Sequence, residues 1–228
     1  MTIAKRLAAV RSRIERAAIE AGRDPATIAL VAVSKTKGPE AVREAFAAGQ
    51  RAFGENYAQE LATKAEALAD LPGLEWHFIG HLQTNKAKIV AKHAHVVHAV
   101  DSVALARELG KRVARESDRA PLPVLIEVNV GREAQKAGVG PGEIGETMRA
   151  VLAEGALSLR GLMTMPPAGD LRAARECFEA LASLRNLHGG AAVLPELSMG
   201  MSADLEIAVA CGATIVRVGT AVFGERGG

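Results

Sequence analysis

The chain has 228 residues, 49% of them hydrophobic and 24% charged, and its 28 Lys and Arg against 26 Asp and Glu leave a formal net charge of +2. This size and balance suit one domain with a continuous core and exclude disorder and fibrous repeats. So small a charge excess supplies no field for nucleic acid, no run of about eighteen apolar residues suggests a membrane span, and no charged-then-apolar leader suggests secretion, so a cytoplasmic protein is expected.

Residues 1–24 predict an amphipathic helix packed on the rest of the domain, with Thr2 as N-cap and Ile3, Leu7, Val10 and Ile14 on one face. Lys5, Arg6, Arg11, Arg13 and Arg16 read as its solvated face, and Glu15 and Glu20 argue against a transit peptide. Eight short apolar or β-branched runs follow. They are IALVAVSK (28–35), RAFGEN (51–56), EWHFIG (75–80), HVVHAVD (95–101), PVLIEVNVG (123–131), LRGLMTM (159–165), PELSMG (195–200) and TIVRVGT (214–220). Between them lie helical stretches such as PEAVREAFAAG, YAQELATKAEALAD, SVALARELGKRVARES, LRAARECFEALASLRNL and SADLEIAVACG. Pro39 opens one of these, and Gly49 and Gly212 close two. Strands each followed by a helix, except the last, predict a single α/β domain over 1–228, a (β/α)8 TIM barrel, with an open doubly wound sheet as the alternative. Gly131 to Glu143 is the most loop-like stretch.

A barrel builds its chemistry at the C-terminal ends of its strands, and here those ends are polar. Lys35 shares its side-chain parity with Val31 and Val33, so valines that face the barrel interior aim Lys35 into the mouth. An amine beside low-dielectric walls loses basicity and becomes a nucleophile toward a carbonyl, although a strand-end lysine reaching into solvent is the commoner case. SMGMS (198–202) and VGT (218–220) fall at the seventh and eighth strand ends, where barrels commonly bind phosphate. Ser198, Gly200, Ser202, Gly219 and Thr220 have the required smallness and hydroxyls. Arg217 shares parity with Ile215 and Gly219 and points into the same mouth, where its burial requires a carboxylate, a phosphate or a neutral acceptor, and a structural pairing with an acidic residue such as Glu127 is the alternative to a ligand.

His77, His81, His93, His95 and His98 invite a metal reading, but their parities diverge and no familiar ligand motif is completed. His77 reads as well as a hydrogen-bonded core residue. Cys177 and Cys211 read as small buried apolar residues in a reducing compartment.

The strings VAVSKTK, FGENYAQE, WHFIGHLQTNK, LRGLMTM, LSMGMSADLEIAVACGA and VRVGTAVFGER, in that order, resemble the pyridoxal phosphate homeostasis proteins from about Val31 to Arg226. The resemblance implies a barrel like the N-terminal domain of alanine racemase that binds pyridoxal 5′-phosphate. It implies that Lys35 forms a Schiff base, that Ser198, Met199, Gly200, Ser202, Gly219 and Thr220 hold the phosphate, and that Arg217 faces the pyridine nitrogen. It implies further that Asn56 and His77 line the pocket and that Lys136 is an accessory lysine on a loop. Spacing alone leaves a sugar phosphate open as the ligand. An arginine at the ring nitrogen favours holding the cofactor over catalysis, because electron-sink chemistry needs that nitrogen protonated. The resemblance thus implies a monomeric carrier of pyridoxal phosphate that serves transient apo-enzyme recipients and has no robust catalysis of its own, with a weak racemase or lyase as the alternative.

Overall fold

The computed structural model describes residues 1–116, 120–131 and 137–225. The chain opens with α1 (Ile3–Glu20), β1 (Ala29–Val33), α2 (Pro39–Ala47), β2 (Ala52–Glu55), α3 (Ala58–Ala67) and β3 (Glu75–Phe78). It continues with α4 (Ala87–His93), β4 (Val96–Val100), α5 (Val103–Val113), β5 (Leu122–Glu127), α6 (Ile144–Ala153) and β6 (Leu157–Met163). It ends with α7 (Leu171–Leu187), α8 (Gly190–Val193), β7 (Glu196–Ser198), α9 (Leu205–Ala210), β8 (Ile215–Val218) and α10 (Thr220–Phe223).

The strands form a closed parallel barrel in sequence order. Pairing of β8 with β1, from Ala29 opposite Ile215 to Ala32 opposite Val218, excludes the open sheet. Each expected run contains a strand, but most strands stop before the polar residues that end the run. The first stops at Val33, two residues short of Lys35, so those polar groups lie on turns at the mouth. The last strand was expected to end the alternation, yet the short helix α10 follows it. Of the loop expected over 131–143, the segment 132–136, and with it Lys136, lies outside the described residues. The remainder includes a bridge from Val128 to Val139 and a 3-10 turn at Pro141–Glu143.

Strand alternation divides the core into two layers. Outward-facing residues such as Phe53, Val97, Ile126 and Leu162 pack with the helices, where Leu61, Leu105, Leu109 and Phe178 are fully buried. Each large side chain so buried contributes about 1.5–3 kcal/mol. Val31, Leu125, Met163 and Ile215 form a small apolar cluster of their own within the barrel. The side chains of His98, Ser198 and Arg217 are buried and meet one another there, where an ordinary barrel carries branched aliphatics.

The expected first helix forms, capped by Thr2 and burying Leu7, Val10, Ile14, Ala17 and Ala18. It packs against α2, α9 and α10. Its basic face is solvated at Lys5, Arg11 and Arg16, as expected, while Arg6 and Arg13 are half-buried. Arg11 donates to the Ala48 carbonyl and to Gln50, and Arg13 forms a two-pronged bridge to Glu206 while its Nη2 also donates to the Ser202 carbonyl at 2.9 Å. Among the described residues no helix is long and apolar enough to cross a membrane.

Candidate functional site

The turn after β1 places Lys35 at the mouth. Lys35, Thr36, Lys37, Gly219 and Thr220 line one small cleft of about 60 Å³, so the ends of the first and last strands are neighbours as barrel closure requires. Thr36 has φ +66°, the only positive φ among described non-glycine residues. For a β-branched side chain that conformation costs on the order of 1–3 kcal/mol and persists only where its surroundings enforce it. The Thr36 N–H donates to Glu60 Oε1 at 2.6 Å. On the other side of Lys35, the Ser34 hydroxyl donates to Glu55 Oε1 at 2.6 Å, and the Ser34 carbonyl accepts from Lys64 Nζ at 2.7 Å. Burial pushes the Glu55 carboxyl up from its ordinary range, against the Lys64 ammonium and the Ser34 hydroxyl, which hold it down. The Lys37 ammonium donates to the Glu225 carbonyl at 2.9 Å.

Arg217 is 3% exposed and points into the barrel, as its parity predicts. Glu127 is not its hydrogen-bonding partner. The guanidinium donates to Ser198 Oγ at 2.5 Å and to the Thr164 carbonyl at 3.0 Å, both neutral acceptors. Burial lowers its pKa to about 10, opposed by Glu127 and Asp204, so it remains charged at neutral pH. From Arg217 a chain runs through Ser198 Oγ to His98 Nδ1 at 2.8 Å, and from His98 Nε2 to His77 Nδ1 at 2.9 Å.

A guanidinium only donates, so Ser198 Oγ accepts from Arg217, and the directions of the Ser198–His98 and His98–His77 bonds follow the ring tautomers. Burial, and then His77 and Arg217, hold the His98 pKa well below its ordinary value. His77 Nε2 has no hydrogen-bond partner among the described residues and approaches Glu75 Oε2 only to 3.9 Å.

Three residues expected at the cofactor therefore have interior roles. Ser198 is fully buried between Arg217 and His98. His77 is a buried, hydrogen-bonded interior residue. The Met199 side chain lies in the outer core, and its N–H is committed to the Ile215 carbonyl. The reason is common to them: SMGMS begins inside strand β7, so its first two residues alternate into the two core layers and only later ones reach the rim. Gly200 makes the turn at φ +94°, where a Cβ would collide with Ala208. Ser202 is half-buried at the rim, its carbonyl fastened by Arg13. Gly219 and Thr220 begin α10, whose first amides lack intrahelical acceptors.

Asn56 follows β2, and its Oδ1 is buried without a partner among the described residues. A Cβ on Gly80 would run into the Asn56 backbone, so the glycine of WHFIG is what lets the two strand ends approach. Asn56 also borders a cavity of about 440 Å³ shared with Tyr57, His81, Gln83 and Lys86.

The sequence offered Glu127 only as an ion-pair partner for Arg217, and it missed Asp101 beside it on the mouth's acidic side. Burial, and secondarily Asp101, push Glu127 up to about 7, with Arg217 and His81 opposing. His81 Nδ1 lies 3.1 Å from Asp101 Oδ2. Strand parity could have indicated Glu127, since it shares a face with Leu125 and ends β5. The fold favours the protonated carboxyl, so Glu127's contribution to stability is complete below its ordinary value of 4.5 and is lost as pH rises through about 7. Across that window the loss is on the order of 3 kcal/mol, each pKa unit being worth about 1.4 kcal/mol. Glu127→Gln should remove most of this slope, and urea unfolding of the cofactor-free protein at pH 5 and pH 8 checks it. An unchanged slope in the variant would assign the pH dependence elsewhere.

Among the described residues no three His, Cys, Asp or Glu side chains converge to hold a metal ion. His95 Nδ1 accepts from the Trp76 N–H. Cys177 is buried beside the Thr164 hydroxyl at 3.6 Å. A cavity of about 500 Å³ bordered by Arg11, Leu30, Gln50 and Arg51 lies at the barrel's opposite, N-terminal end, the end that supports the fold.

Residues 6–227 match the model of the family described as alanine racemase, N-terminal domain. A pyridoxal phosphate homeostasis protein of Pseudomonas aeruginosa is 50% identical over 227 residues, covering 99% of this chain and 96% of that one. The solved structure of PipY from Synechococcus elongatus PCC7942 with PLP bound superposes with a TM-score of 0.82 at 39% identity, covering 98% of this chain and all of that one. An alanine racemase from Corynebacterium glutamicum shares the fold at TM-score 0.64 and 20% identity, with 96% of this chain matching 61% of the racemase.

Proposed function

This chain belongs to the alanine racemase N-terminal domain family and, within it, to the pyridoxal phosphate homeostasis proteins, and from that premise we propose that it binds pyridoxal 5′-phosphate covalently through Lys35, as a Schiff base, to buffer and deliver it. The observation that carries this reading is the shared cleft of Lys35 and Thr220, which puts an amine next to small residues suited to a phosphate. When bound, the cofactor supplies an aldehyde for capture by an amine and, with its ring nitrogen protonated, an electron sink.

The residues present fit that group. Arg217 has five N–H donors and uses two in the hydrogen bonds to Ser198 and Thr164, so it can meet the ring nitrogen only as a donor and keeps that nitrogen unprotonated. Asn56 brings a buried polar atom in want of a partner to the same mouth. Ser202, Gly219 and Thr220 hold the phosphate, and Arg13 anchors the Ser202 backbone through its carbonyl. Lys136 is the accessory lysine of this reading. The whole chain acts as one cofactor-binding unit, a monomer of the cytoplasm whose partners are the cofactor and transient apo-enzyme recipients.

Thr220→Val and Ser202→Ala should each weaken binding of pyridoxal 5′-phosphate about tenfold or more, because each removes a hydrogen bond to a charged group. Binding of pyridoxal, which lacks the phosphate, should hardly change. Equal losses for both ligands would move the phosphate elsewhere.

The alternative, a weak racemase or lyase, draws on one observation: Tyr57, the chain's only tyrosine, borders the cavity next to Asn56 and could act as a second base. Incubating the loaded protein with amino acids in deuterated water separates the two readings. A carrier leaves α-proton exchange at the rate of free cofactor and restores activity to an apo-enzyme on mixing. Exchange above that rate which Tyr57→Phe removes establishes an enzyme.

A further inference from the structure

Past the end of β1, Lys35 lines the cleft at the mouth, while Ser34 is buried under α3, where it meets Glu55 and Lys64. There Lys64 is 3% exposed, an uncommon fate for a lysine, and its three donors are all used. They go to the Ser34 carbonyl at 2.7 Å, Glu55 Oε1 at 2.6 Å and Glu60 Oε1 at 2.8 Å. Glu60 Oε1 also accepts the N–H of Thr36, the residue held at φ +66°. Glu60 and Lys64 are one helical turn apart on α3, so a single helix face grips the backbone on both sides of Lys35. The grip comes entirely from behind the barrel wall and leaves the mouth open.

We propose that Glu60 and Lys64 are positioning residues that hold the turn around Lys35 in its left-handed conformation and thereby aim the Lys35 amine at a carbonyl carbon in the mouth. A buried ammonium bonded to the Ser34 carbonyl on one side of the nucleophile and, through Glu60 Oε1, to the Thr36 amide on the other has this as its structural consequence. The inference rests on the reading of Lys35 as the covalent attachment point and adds the device that presents it.

The test uses the full-length protein in wild-type, Glu60→Ala and Glu60→Gln forms. Glu60 is partly exposed, so its replacement leaves the core intact, and Gln retains an oxygen that accepts from both Thr36 and Lys64. Two quantities are measured: exchange of the Thr36 backbone amide by NMR without cofactor, and the rate at which added pyridoxal 5′-phosphate becomes borohydride-trappable on Lys35. Glu60→Ala should raise amide exchange and slow trapping, each about tenfold, a geometric loss within the range that misaligned reacting groups show. Glu60→Gln should stay within about twofold of wild type in both, rescue that a charge effect of Glu60 would not permit. A Thr36 amide unprotected in the wild type, or Glu60→Ala behaving as wild type in both measurements, overturns the clamp alone. Wild-type protein that traps nothing at Lys35 overturns the covalent reading and the clamp with it.

Discussion

Lys35→Ala is expected to abolish covalent capture of pyridoxal 5′-phosphate while leaving the protein folded. The wild type should gain visible absorption on mixing with the cofactor, and borohydride should then fix one adduct on the peptide containing Lys35. The variant should show neither. Lys37 shares the cleft but does not substitute, because its ammonium is engaged with the Glu225 carbonyl at 2.9 Å and sits beyond the clamped turn. Lys35 is half-buried past the end of β1, outside the apolar layers, so its truncation should shift unfolding free energy by less than about 1 kcal/mol. A trapped adduct that persists in Lys35→Ala, or one that maps to Lys37 in the wild type, would remove Lys35 from its role.

Arg217→Glu has the second largest expected effect, and it reads on two instruments. With the donor-only group replaced by a carboxylate, the bound cofactor's ring nitrogen becomes more basic. The pH titration of the holoprotein's visible band should therefore move up by about one pKa unit or more, the direction set by an opposite charge favouring the protonated ring. The variant should also be less stable, since the Thr164 carbonyl loses its donor and the Ser198–His98–His77 chain loses the group that orients it. Each buried polar group left unpaired costs about 1–3 kcal/mol. Arg217→Met separates the readouts, lowering stability through the same lost bonds without placing a carboxylate at the ring. A titration that stays put in Arg217→Glu would show that Arg217 serves the barrel interior alone.

Much of this was legible in the chain before any tertiary information. Alternation of short β-branched runs with Ala-rich stretches located every strand of the barrel, and the parity of Val31, Val33 and Lys35, or of Ile215, Arg217 and Gly219, assigned the inward face correctly for Arg217. These features are local: which way a strand side chain points follows from the pleat, and where each strand lies follows from its own apolar run. Barrel geometry then makes strand ends the mouth. The lysine, the glycines and the hydroxyls of the last two strand ends follow from those rules, and the Lys35 and Thr220 ends are indeed adjacent.

What parity leaves open is the partner. It says that Arg217 points inward but not that its acceptors come from Ser198 on β7 and from Thr164, 53 residues earlier in the chain. It equally does not foresee that His77 meets His98 arriving from the adjoining strand. Nor does it foresee Arg13 reaching across 189 residues to the Ser202 carbonyl, or α3 bracing the Lys35 turn with a buried Lys64. Hydrogen bonds and burial depend on distances between side chains that only barrel closure brings together. The sequence by itself therefore determined the barrel and the places where its chemistry collects, while the tertiary structure decided which polar groups reach the rim of the mouth and which are buried holding one another.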